Sequence, residues 1–122
     1  MSIKVFDQTF ESLSRALDLR TENQTVIASN IANADTPGYQ AKELNFEKAL
    51  ARAIETKEDV EQVRGEIHNQ INNVVKEDGN TVDRDAEMVS LAQNQLLYDA
   101  AADLVKKKLA LLKYAITDGG NH

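Results

Sequence analysis

Apolar positions along the chain fall into two long stripes at its ends, separated by a middle segment of shorter and changing period. From Phe6, the positions Phe6, Phe10, Leu13, Leu17, Arg20, Gln24, Ile27, Ile31 and Ala34 follow alternating steps of four and three, a spacing that keeps one stripe on one face of a helix. A helix from Ile3 to Asn33 would be about 47 Å long, the length of a packed rod more than of a small globule. Arg20 and Gln24 interrupt the stripe. Two readings stand for them: polar seam residues that set register, or side chains that snorkel to water as the stripe curves.

The second stripe is Met88, Leu91, Gln95, Tyr98, Ala102, Val105, Leu109, Leu112 and Ile116, again in steps of three and four. Asp83 is placed to cap this helix, Asp85 and Glu87 suit its positive first turn, Lys106, Lys107, Lys108 and Lys113 lie toward its negative end, and Gly119 and Gly120 are expected to stop it. Leu96, Leu97, Leu104 and Leu111 fall beside or off the seam, which widens the apolar face beyond what a two-helix contact uses. A lone hairpin would leave them wet, so the pattern asks for further neighbours.

Between the stripes, Thr36-Pro37-Gly38-Tyr39 reads as a turn, because Pro37 fixes φ at the second position and Gly38 tolerates positive φ at the third. The preceding Ser29–Asp35 is rich in short polar side chains that bond nearby backbone as a helix unwinds. Leu44, Phe46, Leu50, Ala53 and Ile54 suggest a short amphipathic helix. Val63, Ile67, Ile71, Val74 and Val75 fit helix or strand. Asp78-Gly79-Asn80 is a tight reversal across which Val74–Lys76 and Thr81–Val82 can pair as a small hairpin.

The resulting fold class is mainly α: long N- and C-terminal helices packed as a coiled coil, with a short helix and an irregular or small β-hairpin segment between them. A length of 122 residues fits one unit, divided as 1–35 N-terminal helix, 36–83 signature loop and exposed middle segment, and 84–118 C-terminal helix. Charge sharpens this division. The net charge of −6 resides almost wholly in residues 43–87, which places that segment toward water and leaves the near-neutral ends to pack together or against other subunits. The acidic balance argues against nucleic acid as a partner. No apolar run is long enough to span a bilayer, and Met1–Glu11 lacks the basic and apolar blocks of a secretory leader, so neither a span nor a cleaved signal is expected.

Candidate chemistry is sparse. With no Cys and two His, thiol catalysis, disulfides and thiolate zinc sites are excluded. Asp78, Asn80, Asp83, Asp85 and Glu87 lack the order of a calcium loop and are better read as caps and turns, and His68 has neither a ligand partner nor a nucleophile at useful spacing. No catalytic residues, metal, cofactor or small-molecule substrate are expected. The competing functions are a soluble helical adaptor or secretion-chaperone-like binding module and, more remotely, an enzyme resting only on the polar residues around Asp78 to Glu87.

The stretch Ala28-Ser29-Asn30-Ile31-Ala32-Asn33-Ala34-Asp35-Thr36-Pro37-Gly38-Tyr39 resembles the signature near the N-terminus of bacterial flagellar rod and hook axial proteins. Asp78–Asp83 and Glu87–Tyr98 resemble the short rod members of that family, and Lys108–Gly119 looks like the proximal rod member more than its short sibling. Residues 55–76 match no pattern of the family. The resemblance implies a non-enzymatic building block of the basal body, exported unfolded by the flagellar type III apparatus and polymerising into a periplasm-spanning tube. Its implied neighbours are other copies of itself, the adaptor FliE, the membrane-ring protein, the export gate and neighbouring rod proteins. The signature loop, Asn30, Asn33, Thr36, Pro37, Gly38 and Tyr39, would be a subunit joint. Phe6, Phe10, Leu13, Leu17, Ile27, Ile31, Met88, Leu91, Tyr98, Val105, Leu109, Leu112 and Ile116 would form the helical assembly interface.

Overall fold

The computed structural model describes residues 3–119, with side chains from 6 to 118. Met1, Ser2, Gly120, Asn121 and His122 therefore lie outside the described residues. The elements are α1 (Ile3–Ala32), β1 (Lys42–Asn45), α2 (Glu47–Glu55), a 3-10 turn at Val60–Gln62, β2 (Glu66–Asn69) and α3 (Arg84–Gly119). Neither α1 nor the interior of α3 contains Pro or Gly, which accounts for helices of 30 and 36 residues, about 45 and 54 Å long. The α1 helix tightens as it ends. Asn33 N–H donates to the carbonyls of both Ser29 and Asn30, Ala34 N–H to Ile31 and Thr36 N–H to Asn33, and Pro37 prevents any continuation. At the other end, the Asp83 carboxylate accepts from Ala86 N–H at 3.1 Å and caps α3 as its spacing foretold. Gly119 is the last residue of α3, one position past the expected boundary.

The hairpin differs from the one expected. The antiparallel pair is β1 with β2, in the register Lys42↔Asn69 to Asn45↔Glu66. Asp78–Asn80 does reverse the chain, with Gly79 N–H donating to Lys76 and Lys76 N–H to Asn80, but its arms form no strands. They fail to pair because Thr81 is engaged elsewhere: its N–H donates to the Tyr39 carbonyl at 3.0 Å. Leu44 belongs to β1, so the short helix begins at Glu47. Of the ambiguous apolar set, Ile67 lies in β2, Val63 is buried after the 3-10 turn, and Ile71, Val74 and Val75 are exposed and irregular.

The main core also lies where charge argued against it. Leu44, Phe46, Leu50, Ala53, Val60 and Val63, all from the acidic middle segment, close over Leu19 of α1, with Ala16 and Val26 packed against them. Segment charge was a poor guide because α2 is strongly amphipathic: its acids face water while Leu50 and Ala53 turn inward. Arg15 of α1 closes the far edge, donating from Nε (3.1 Å) and Nη2 to the Val63 carbonyl. A smaller cluster of Ala34, Ala41 and Val82, with Tyr39 against it, seals the opposite end. Thus α1 carries two working faces, one covered by the middle segment and the other, with the phase of Phe6, Arg20 and Gln24, by antiparallel α3.

The contact between α1 and α3 is held in register by one buried amide. Asn94, 3% exposed, donates from Nδ2 to the Arg20 carbonyl and to Gln24 Oε1, both at 2.9 Å, while its Oδ1 accepts from Asn23 Nδ2 (2.9 Å) and Arg20 Nη1 (3.4 Å). Arg20 and Gln24 therefore set register and do not snorkel. This corrects the second stripe. On α3 the residues turned inward are Glu87, Leu91, Asn94, Tyr98, Ala102, Val105 and Lys108, whereas Met88, Gln95, Leu109, Leu112 and Ile116 are exposed in the single chain. The hydrophobic pattern selects 88, 95 and 109 over 87, 94 and 108 because it does not value an amide whose four hydrogen bonds are all met. Lys108 sits with its Nζ 5.6 Å from the centroid of the Phe6 ring, so the last two turns of α3 run past Ile3, where the described part of α1 starts. We expect Asn94→Ala to destabilise the chain by about 2 kcal/mol, because it strands Gln24 and the Arg20 carbonyl in a half-buried seam; urea unfolding followed by circular dichroism measures it.

Candidate functional site

Two features stand out: a joint where the signature meets the Asp78–Val82 loop, and the outer face of α3. The joint is built from amides acting as backbone. Asn30, 0% exposed, donates from Nδ2 to the Lys42 carbonyl at 2.7 Å and accepts Lys42 N–H on Oδ1 at 2.9 Å, pairing with the first residue of β1 as a neighbouring strand would. The Tyr39 hydroxyl donates to the same Oδ1 at 3.0 Å. Asn80, also fully buried, donates from Nδ2 to the carbonyls of Asn33 (2.9 Å) and Thr36 (2.8 Å) and accepts Val82 N–H at 2.7 Å. It thereby adds a second hydrogen bond to two carbonyls just past the end of α1, each of which already accepts one backbone N–H.

The turn at Thr36–Tyr39 has the expected geometry, with Tyr39 N–H donating to the Thr36 carbonyl at 3.2 Å and Gly38 at φ +73°. Gly38 N–H donates in turn to the Asp78 carbonyl at 2.8 Å. Gly79, at φ +82°, passes so close that a Cβ there would stand 3.4 Å from the Gly38 Cα. What both positions demand is the left-handed backbone, since a Cβ on Gly38 would meet nothing within 4 Å. Ala41 N–H then donates to Thr81 Oγ1 (2.8 Å), Gln70 N–H to the Ala41 carbonyl (2.8 Å), and Gln70 Nε2 to the buried Glu87 carboxylate (2.7 Å), so the joint also reaches the first turn of α3.

All six signature residues named from the sequence converge here, but unequally. Asn30 spends its whole side chain inside the chain and presents no surface to a neighbour. Asn33 donates to the Ser29 carbonyl and accepts from Thr36 Oγ1, and Tyr39 packs on its own small cluster. Thr36, Pro37 and Gly38 are exposed and remain the accessible part of the loop. The partners that the sequence reading missed are Asn80, Thr81 and Asn94. A usable signal existed for the first two, since two separate Gly-and-Asn clusters each needing a left-handed glycine are natural candidates to cross. Three acids of the rejected calcium reading have other employment: Asp78 Oδ1 accepts Asn80 N–H, Asp83 caps α3, and Glu87 holds Gln70. His68 lies exposed on β2 beside Glu66 at 3.2 Å. Among the described residues no group of three or more His, Asp or Glu is arranged to hold a metal ion.

On α3, Val89, Leu96, Leu104, Leu111 and Tyr114 are exposed and share one face. With Gln93, Ala100 and Lys107 they make a second stripe in steps of three and four, on the side turned away from α1. Of the expected interface residues, Ile27 is buried and Phe6, Phe10, Leu13, Leu17, Ile31, Leu91, Tyr98 and Val105 are half-buried within the chain.

A family model described as "Flagella basal body rod protein" matches residues 10–40, the stretch that runs from α1 through the locked turn. Over nearly its whole length the chain is 34% identical to the flagellar basal body rod protein FlgB of Bacillus subtilis (strain 168), covering 96% of this chain and 99% of that protein. The chain belongs to the FlgB family of flagellar rod proteins. Two further FlgB proteins agree with this: that of Escherichia coli (strain K12) is 30% identical, with 93% of this chain and 96% of the relative covered, and that of Borrelia hermsii is 34% identical over 79% and 86%. Membership in the FlgB family makes this a structural protein of the flagellar basal body, and no helix among the described residues is long and apolar enough to cross a membrane.

Two substitutions test the joint. Asn30→Ala should cost about 1 to 3 kcal/mol, since it leaves the Lys42 N–H without a partner and its carbonyl to Gln70 Nε2 alone. Gly38→Val should cost at least about 1 kcal/mol by forcing a β-branched residue to positive φ, against about 0.5 kcal/mol or less for Glu58→Val on the surface. Chemical denaturation of the three purified variants ranks them.

Proposed function

We propose that this chain is a building block of the proximal rod and that it polymerises through faces its own fold leaves uncovered. The observation that carries this reading is the second apolar stripe on α3. Burying what is still exposed of its three leucines, 69%, 49% and 65% of each, would contribute roughly 3 to 5 kcal/mol on a scale of about 1.5 to 3 kcal/mol per full burial, against an association cost of about 4 to 15 kcal/mol. One such contact is marginal, and a lattice in which each copy makes several is not. The exposed Met88, Leu109, Leu112 and Ile116 would join the stripe in assembly, and Thr36, Pro37 and Gly38 would touch a neighbour at the joint. Partners follow the family: other copies of the chain, neighbouring rod proteins, the adaptor FliE, the membrane-ring protein and the export gate through which the unfolded chain passes.

A strain lacking this chain should be non-motile and its basal bodies should lack a completed rod, as seen by electron microscopy of isolated particles. Intact rods in that strain, or a stable one-to-one complex with a soluble partner in place of rod incorporation, would overturn the reading. Leu104→Asp should abolish incorporation while changing the stability of the purified chain by about 0.5 kcal/mol or less, since the side chain is half in water before assembly.

A further inference from the structure

Between the N-terminal half of α1 and α2 lies an apolar cleft of about 430 Å³. Its floor is Leu13, Ala16, Leu50, Ala53, Ile54 and Val60, and Glu11 and Glu58 stand on its rim with one cation, Lys57. The surrounding segment, residues 43–87, carries a charge of −6. At the far end of the same chain the relation inverts. Residues 104–117 hold four lysines and no acid, and among the described residues none of those lysines pairs with a carboxylate. On the outer face of α3 they place Leu104, Lys107 and Leu111 along one ridge at spacings of three and four, with Leu104 49% and Leu111 65% exposed.

We propose that the cleft between α1 and α2 receives the Leu104–Lys107–Leu111 ridge of a second copy of this chain. The two surfaces match in kind: an apolar floor with an acidic rim against an apolar ridge with a basic centre. They cannot meet within one chain, because α3 is held against the other face of α1 by Asn94 and by Lys108 on Phe6. The contact is therefore heterologous, and because a docked pair keeps one ridge and one cleft free, it repeats from copy to copy as an open helical array requires. This inference rests on the rod reading and adds to it which surface meets which.

The chain has no cysteine, so introduced ones report cleanly. Copies carrying Leu111→Cys and copies carrying Ile54→Cys are produced together in cells that build basal bodies, and isolated basal bodies are oxidised. The expected result is a mixed adduct about tenfold more abundant than either self-adduct. Lys107→Glu on the first copy should reduce it about tenfold, and Glu11→Lys with Glu58→Lys on the second should restore at least half of it. Rods that contain both variants but yield no mixed adduct, or only Leu111→Cys self-adducts, overturn the contact and leave the rod reading standing. Loss with Lys107→Glu that the reversed rim fails to restore overturns the pairing of ridge with rim. Intact rods in a strain without this chain are a separate result, and it is the rod reading that they would sink.

Discussion

The whole architecture depends on how α1 is allowed to stop. A long helix that ends beside extended chain leaves carbonyls open on one side and strand groups open on the other, and burying either without a partner costs about 1 to 3 kcal/mol per group. Asn30 meets the strand side by standing in for backbone toward Lys42, and Asn80 adds a second bond to the carbonyls of Asn33 and Thr36, which turn N–H groups already partner. Because Asn80 is separated from Thr36 by the entire middle segment, the same bonds bring the start of α3 back to the end of α1. The joint thus fixes one end of the antiparallel helix pair, and the Asn94 cluster fixes its register.

Around that joint, packing is divided between the two faces of α1. The face toward the middle segment is dry, with Leu19 fully buried under Phe46 and Leu50, and it supplies most of the apolar burial. Arg20 ties the two faces together: its guanidinium lies 4.8 Å from the centroid of the Phe46 ring, reaches Glu47 at 3.2 Å, and approaches Asn94 on α3. The Glu47 carboxylate is exposed, so that ion pair adds little by itself. What Arg20 contributes is position, since the same planar group is fixed by a ring on one side and by an amide on the other.

How legible this was in the sequence differs from element to element. The two long helices, the Asp83 cap and the Thr36–Tyr39 turn follow from local rules of period, capping and φ preference, and each lies where those rules place it. The β1–β2 pairing does not, because Lys42–Asn45 and Glu66–Asn69 are short, polar and separated by α2, so nothing in either segment marks the other. The joint was half legible. Its loop was visible in Thr36-Pro37-Gly38-Tyr39 and again in Asp78-Gly79-Asn80, but that the two cross is tertiary information held in the Asn80 bonds. Leu19 and Asn94 were hidden for a shared reason: a heptad rule admits one seam per helix, while α1 has two working faces and α3 uses an amide where the rule wants an apolar side chain.

The chemistry of α3 inverts the usual order, with a polar lock turned toward its own chain and leucines turned toward water. Net hydrogen-bond contributions are small, about 1 kcal/mol each, so the Asn94 cluster adds modestly to stability but penalises every other rotation of α3. Turning the helix about its axis to bury Leu96, Leu104 and Leu111 against α1 would draw Gln93 and Lys107 into the seam and leave Gln24 and the Arg20 carbonyl without the amide that meets them. A buried, unpaired Lys107 alone would cost several kcal/mol. The attraction of the leucine face for the nearest apolar surface, which is its own α1, is thereby held off. Apolar attraction is strong but indifferent to partner, and the directional amides deny it the intramolecular choice; the outer leucines stay available for a surface that can also accommodate a lysine between them.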